Sequence, residues 1–208
     1  MSVLPNRDRQ AERREATRRE IVEAAWEIAR AEGLSSVTLR QVAARVGMSS
    51  PSLYTHFASK NAIYDTMFGA AWSEFLQVTL ERTASLPKAP RVALLAMSEA
   101  FFDFAVADLA RFQLMNQRVI PGFQPSPESY APSVATLERL REVLHRLGVA
   151  QPEAVDLYVS LVGGLVDSQL ANDPGGDRWR RLLPRAMDMF ADHLGLPGPP
   201  LRSKQRST

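Results

Sequence analysis

Apolar side chains recur along this chain at intervals of three and four residues, and no stretch alternates convincingly as a strand does. Residues 9–31 predict a long first helix, charged early and apolar later through Ile21, Ala25, Ile28 and Ala29, with Gly33 placed to stop it. A second helix over residues 39–45 brings Leu39, Val42, Ala43 and Val46 onto one face, and Thr38 is its natural N-cap. Gly47 allows a sharp turn. Ser49 or Ser50 then caps a third helix, with Pro51 in its first turn and Leu53 and Phe57 facing inward. Ser59 caps a fourth, long helix that runs to about residue 83, before Pro87 and Pro90 break the chain.

Five more helices are expected over residues 91–107, 109–119, 128–147, 153–171 and 176–194, and Pro121-Gly-Phe-Gln-Pro-Ser-Pro is the strongest internal loop signal. From Pro197 onward the composition is that of a disordered tail. The expected fold is therefore all-α with about nine helices. A three-helix head spans residues 9–60, a helical body 61–196, and the tail 197–208.

Composition narrows the chemistry. The 208 residues are 45% apolar and 23% charged, ordinary values for a globular protein with a real core. With no cysteine, the chain has no disulfide, thiolate metal site or cysteine nucleophile. His56, His145 and His193 are the only imidazoles, and none has a second histidine at zinc-binding spacing, so neither metal nor cofactor is expected. No apolar run reaches the length of a membrane span and no secretory core opens the chain, which makes a cytoplasmic location the expectation. Residues 1–60 hold ten Arg and Lys against seven Asp and Glu, a net of +3. Residues 61–197 hold twelve against sixteen, a net of −4. A basic end on an acidic body suits a protein that presents that end to phosphate.

The turn at Gly47 joins two short helices in the manner of a helix-turn-helix, whose second helix enters the DNA major groove. Such a helix needs inward anchors to set its angle, here Leu53 and Phe57. Its outer face needs short polar residues that let the backbone approach the base edges, and Ser49, Ser50 and Ser52 have that character. Pro51 and Tyr54 add apolar or stacking contact. Thr38, Arg40, His56 and Lys60 stand at the flanks, placed to bond phosphates, and Lys60 also opens the fourth helix where free amides favour an anion.

Ile21, Ala24-Ala25, Gly33, Thr38, Val42-Ala43, Gly47, Ser49, Leu53-Tyr54, His56-Phe57 and Lys60 together resemble the tetracycline-repressor (TetR) family of one-component bacterial regulators, over about the first 75 residues. The resemblance implies DNA contacts at Thr38, Arg40, Pro51, Ser52, Tyr54, His56 and Lys60. Two departures stand out. Asn61-Ala62 replaces the acidic residues often found after the lysine, so a capping box is missing there. Three serines leave few long side chains for base readout, which shifts discrimination toward van der Waals fit and DNA shape.

In the body, Phe68, Trp72 and Phe75 follow helical spacing, and Phe101, Phe102 and Phe104 cluster on the next helix with Met97, Phe112 and Met115 near in sequence. Such a set either forms ordinary core or lines a cavity for a small, mostly apolar effector, oriented by polar groups such as Asp103, Asn116 or Gln117. The candidate pocket is Phe68, Trp72, Phe75, Phe101, Phe102, Asp103, Met115 and Asn116. The helix at 153–171 carries one apolar stripe to which Leu165 belongs and beside it a second row, Leu157, Leu161 and Gly164, and the last helix carries Trp179, Leu183 and Phe190. A helix that is apolar on two faces is buried on two faces, and these seven residues are the expected interface of a homodimer built as a four-helix bundle, the alternative being that both helices pack wholly inside one subunit.

The expected function is that of a ligand-responsive regulator, more a repressor than an activator, which binds a palindromic operator as a dimer and is released by a small effector. Two other classes stand beside it: an architectural DNA-binding protein without effector, and a helical enzyme. Against the enzyme, the chain has no Gly-x-Ser-x-Gly elbow, glycine-rich phosphate loop, metal-ligand cluster or paired carboxylate motif.

Overall fold

The structure, a computed structural model, describes residues 6–201. Their regular structure is entirely helical: α1 (Asn6–Glu32), α2 (Leu39–Arg45), α3 (Ser50–Tyr54), α4 (Lys60–Ala84), α5 (Pro90–Val106), α6 (Leu109–Asn116), α7 (Pro127–Arg146), α8 (Ala154–Asn172) and α9 (Leu183–His193). Short 3-10 turns at Leu34–Ser36 and Arg180–Leu182 complete it. The all-α expectation of about nine helices holds. Most of the tail, from residue 202 on, lies outside the described residues.

The chain divides into two compact units, one of Met1–Ala71 with Ala110–Tyr130, the other of Trp72–Leu109 with Ala131–Thr208. The first unit is centred on the three-helix head. Ile21, Ala25, Ile28 and Ala29 of α1 are buried with Val42 and Ala43 of α2 and with Leu53 and Phe57 around α3. Leu39 and Val46, expected inside, are only half-buried because they sit at the two ends of a helix of seven residues. Helix α2 ends in a Schellman motif. The Met48 amide donates to the Ala43 carbonyl at 2.9 Å and the Gly47 amide to Ala44 at 3.3 Å, with Gly47 at φ 68°. That left-handed residue lets the chain reverse and start α3 three residues later.

In the second unit, α5 packs against both α8 and α9. Buried Arg91 at the start of α5 bonds Asp188 at 3.1 Å, Asp192 at 2.5 Å and the Leu196 carbonyl at 3.2 Å. The Leu201 amide reaches the Asp188 carboxylate at 2.9 Å, so the chain is tied to α9 as far as that residue. Ser98 of α5 bonds the Tyr158 hydroxyl at 2.9 Å, and burial pushes that phenol well above the usual tyrosine range. The last helix starts at Leu183 rather than at 176. The buried side-chain carbonyl of Gln169 accepts the Trp179 amide at 2.9 Å, and the Asp173 carboxylate accepts the Arg178 amide at 2.9 Å, which draws those donors out of a helical turn. Pro184, lacking an amide hydrogen, fits only the first turn of α9.

Candidate nucleic-acid interface

The geometry of the head follows from its caps. The Thr38 hydroxyl accepts the Gln41 amide at 3.2 Å and donates to the Gln41 side-chain carbonyl at 2.7 Å, a reciprocal arrangement that fixes the first turn of α2. Of the two serines considered for α3, Ser49 is the cap: its Oγ accepts the Ser52 amide at 3.2 Å and lies 2.8 Å from Ser52 Oγ. Ser59 caps α4 through the Ala62 amide at 3.1 Å, and with Ala at position 62 no side chain returns the bond.

Helix α3 is a little over one turn, Ser50–Tyr54. The chain then closes with the Phe57 amide on the Leu53 carbonyl at 3.0 Å, and both side chains are buried as expected. Outside lie Thr38, Arg40, Ser49, Pro51 and Ser52, all exposed, with Ser50, His56 and Lys60 half-buried. Tyr54 is 55% exposed, unusual for an aromatic side chain, and it stands free of the small core. The Lys60 ammonium rests 5.5 Å over the Tyr64 ring at the opening of α4. The nine residues selected from the sequence thus come together around one short helix and its two flanks.

Two arginines that sequence reasoning passed over hold this helix in place. Arg14 of α1 donates to the Thr55 carbonyl at 3.2 Å. Arg18, one turn on, donates to the His56 carbonyl and lies 4.1 Å over the Phe57 ring. Both guanidinium groups sit at the carboxyl end of α3, where unpaired carbonyls gather negative partial charge. The available signal was the i, i+4 spacing of two arginines on a stretch of α1 with no apolar face. Arg45 of α2 also pairs with Glu27 of α1 at 2.8 Å.

Beneath the head, fully buried Tyr64 of α4 donates its hydroxyl to the Leu34 carbonyl, just before the Thr38 cap. Burial pushes its phenol up to about 12.

The residues proposed from sequence as a ligand pocket separate into two groups. Phe68, Met115 and Asn116 line a cavity of about 210 Å³ in the first unit, together with Phe123 and Tyr130. In the second unit Trp72, Phe75 and Phe101 form an edge-to-face aromatic cluster, with ring centroids 6.2 Å apart for Trp72 and Phe75 and 5.3 Å for Phe75 and Phe101. Phe102 is core. Asp103 is exposed and its carboxylate is held by Arg180 through a bidentate pair at 2.7 and 2.8 Å.

The interface candidates separate as well. Leu157 and Gly164 are exposed on α8, and Leu161, Leu165 and Trp179 are half-buried. Leu183 and Phe190 are instead buried in their own subunit, which corrects their assignment: the apolar face of α9 is spent on α5 and α8. The exposed large apolar residues of this segment are Met189 at the middle of α9 and, in the turn before it, Leu182.

A short polar-faced helix, anchored by two buried side chains and braced at its carboxyl end, is the reading head of a helix-turn-helix regulator. Comparison with known proteins places it further. Residues 21–67 match the signature of the bacterial regulatory proteins of the tetR family. Over 165 residues the chain is 25% identical to the tetracycline repressor protein class A from transposon 1721 of Escherichia coli, covering 76% of this chain and 69% of that one. It is 29% identical over 147 residues to the HTH-type transcriptional repressor DrrR1 of Streptomyces coeruleorubidus, covering 70% of this chain and half of that one. The crystal structure of the TetR family regulator PfmR from Thermus thermophilus superposes with a TM-score of 0.63 at 21% identity, over 86% of this chain and 99% of that one. The chain is a transcriptional regulator whose residues 21–67 carry the tetR-family signature and which is similar to tetR-type repressors over about three quarters of its length.

Proposed function

We propose that the protein represses transcription by placing two copies of α3 in successive major grooves of a palindromic operator, and that a small, mostly apolar effector releases it. The observation that carries this reading is the outward set around α3: Ser50, Pro51, Ser52 and Tyr54 at the base edges, with Thr38, Arg40, Ser49, His56 and Lys60 along the phosphates. None of these is needed to fill the core. The serines admit the backbone close to DNA, and Tyr54 supplies the one large exposed surface for thymine methyls or sugars.

A single helix this short buries too little surface for specific binding, so the reading requires a dimer. The exposed face of α8 supports one. Leu157 is 43% exposed, Leu161 stands one turn on, and a Cβ built on Gly164 meets no atom within 4 Å. Met189 and Leu182 extend the apolar surface along the α9 segment. Two such pairs of helices form a two-fold bundle. Among the described residues no helix is long and apolar enough to cross a membrane, and a protein working on an operator acts in the cytoplasm.

The test is fluorescence anisotropy with the duplex that flanks the protein's own gene. Saturable binding should fall by roughly three orders of magnitude or more between about 50 and 200 mM salt, the slope of six or more phosphate contacts. No grip on that duplex or on mixed-sequence DNA at low salt would remove the reading. An architectural protein would bind all duplexes alike, with no preferred site.

A further inference from the structure

Asp65 stands on α4 one turn beyond Lys60, and its carboxylate serves a distant segment. It accepts the Ser126 amide at 2.6 Å, Ser126 Oγ at 2.8 Å and Ser129 Oγ at 2.9 Å. Ser126 in turn accepts the Ser129 amide at 3.2 Å, so Asp65 and Ser126 together cap the amino end of α7. The fit is close. A Cβ added to Gly69, one turn further along α4, would stand 3.2 Å from the Ser129 backbone. The loop that this clasp closes, residues 117–126, forms one wall of the cavity of about 210 Å³.

That cavity has a definite chemistry. Phe68 and Phe123 meet edge to face with centroids 6.4 Å apart, while Phe68 and Tyr130 run nearly parallel at 6.2 Å. Arg118 is exposed at the mouth and makes no ion pair among the described residues, and no acidic residue lines the space. A cavity of about 150 Å³ holds benzene, so this one admits a single ring with a substituent. Its inner wall also touches the head's support. Phe123 packs edge-on against Tyr64 at 5.7 Å, and the Tyr64 hydroxyl holds the Leu34 carbonyl.

We propose that this cavity binds a small aryl carboxylate, with its ring among Phe68, Phe123 and Tyr130 and its carboxylate at Arg118, and that the Asp65–Ser126 clasp makes α4 respond to its occupancy. This deepens the effector reading given above and rests on it for its biological meaning. A ring seated against Phe123 restricts that side chain, and the clasp at Ser126 and Ser129 carries any resulting shift of the loop to Asp65. Asp65 and Tyr64 share a turn of α4, so the Leu34 carbonyl and the Thr38 cap feel the shift. Asp65 is a positioning residue here and touches no ligand.

The experiment uses the full chain without DNA, with benzoate and its neutral analogue benzamide as probes, followed by amide nitrogen–proton NMR. Benzoate should bind more tightly than benzamide, and Arg118→Gln should cut benzoate affinity by about fivefold, the ceiling for an exposed ion pair, with benzamide little changed. Benzoate should also shift the amides of residues 34–38, and Asp65→Asn should remove those remote shifts while the shifts at residues 115–124 persist. Should Asp65→Asn fail to fold, Ser126→Ala removes one donor of the same clasp and should at least halve the remote shifts. Benzoate that leaves residues 115–124 unmoved, that binds no better than benzamide, or that shifts residues 34–38 equally in the Asp65 variant overturns the proposal. Because no duplex is present, these outcomes are independent of the operator assay, whose failure would strike the regulator reading alone.

Discussion

Replacing Tyr64 by phenylalanine isolates one bond that ties α4 to the reading head. The ring and its burial stay, and only the hydroxyl that donates to the Leu34 carbonyl is lost. A buried acceptor left without its donor costs about 1–3 kcal/mol. The Leu34 carbonyl keeps a second, longer bond from the Val37 amide at 3.3 Å, so the lower half of that range applies. Thermal unfolding followed by circular dichroism should then show a midpoint lower by roughly 2–8 °C for a chain of this length.

The pH dependence gives a sharper check. Burial raises the folded Tyr64 phenol to about 12, while an unfolded tyrosine ionises near 10. A raised value means that the stability from the neutral phenol is fully present below about pH 10 and is lost as pH rises from there toward 12. The variant has no such group, so the gap between the two proteins should be constant below about pH 9 and narrow steadily above about pH 10. Tyr158 titrates high in both proteins and cancels in the difference. A variant as stable as its parent, or a gap that is unchanged up to about pH 11, would refute the reasoning.

Three further outcomes are expected. Phe57→Ala removes a buried anchor and should destabilise the head by about 3–5 kcal/mol, seen as loss of the head's amide dispersion by NMR. Tyr54→Ala and Lys60→Ala should leave stability within about 0.5 kcal/mol yet weaken duplex binding, and Lys60→Ala should reduce the slope of log affinity against log salt by about one. Leu157→Arg places a charge on the exposed face of α8 and should convert a dimer to a monomer of unchanged helix content, measured by light scattering.

The head was legible because its instructions are local. Thr38, Gly47, Ser49 and Ser59 each act on neighbours within five residues, and Leu53 and Phe57 sit four apart. What escaped is what long separations decide. Arg14 and Arg18 find their acceptors 41 and 38 residues away, and Asp65 closes on Ser126 across 61. Periodicity marked Leu183 and Phe190 as apolar but could not say that their own subunit would cover them. The same limit applies to the aromatics. Spacing put Phe68 and Phe75 on one helix without deciding between core and cavity, while the fold shows that one lines a cavity and the other joins an edge-to-face cluster.

The brace from Arg14 and Arg18 makes residues 9–18 of α1 part of what holds α3 in place, although none of them is buried. A protein trimmed to begin at Arg19 would keep every outward residue of the probe and the entire apolar heart of the head. Its probe would nonetheless end in naked carbonyls, free to fray at the edge that meets the groove. Shortening the leading segment for ease of handling would therefore blunt the operator assay and mimic a protein with no target.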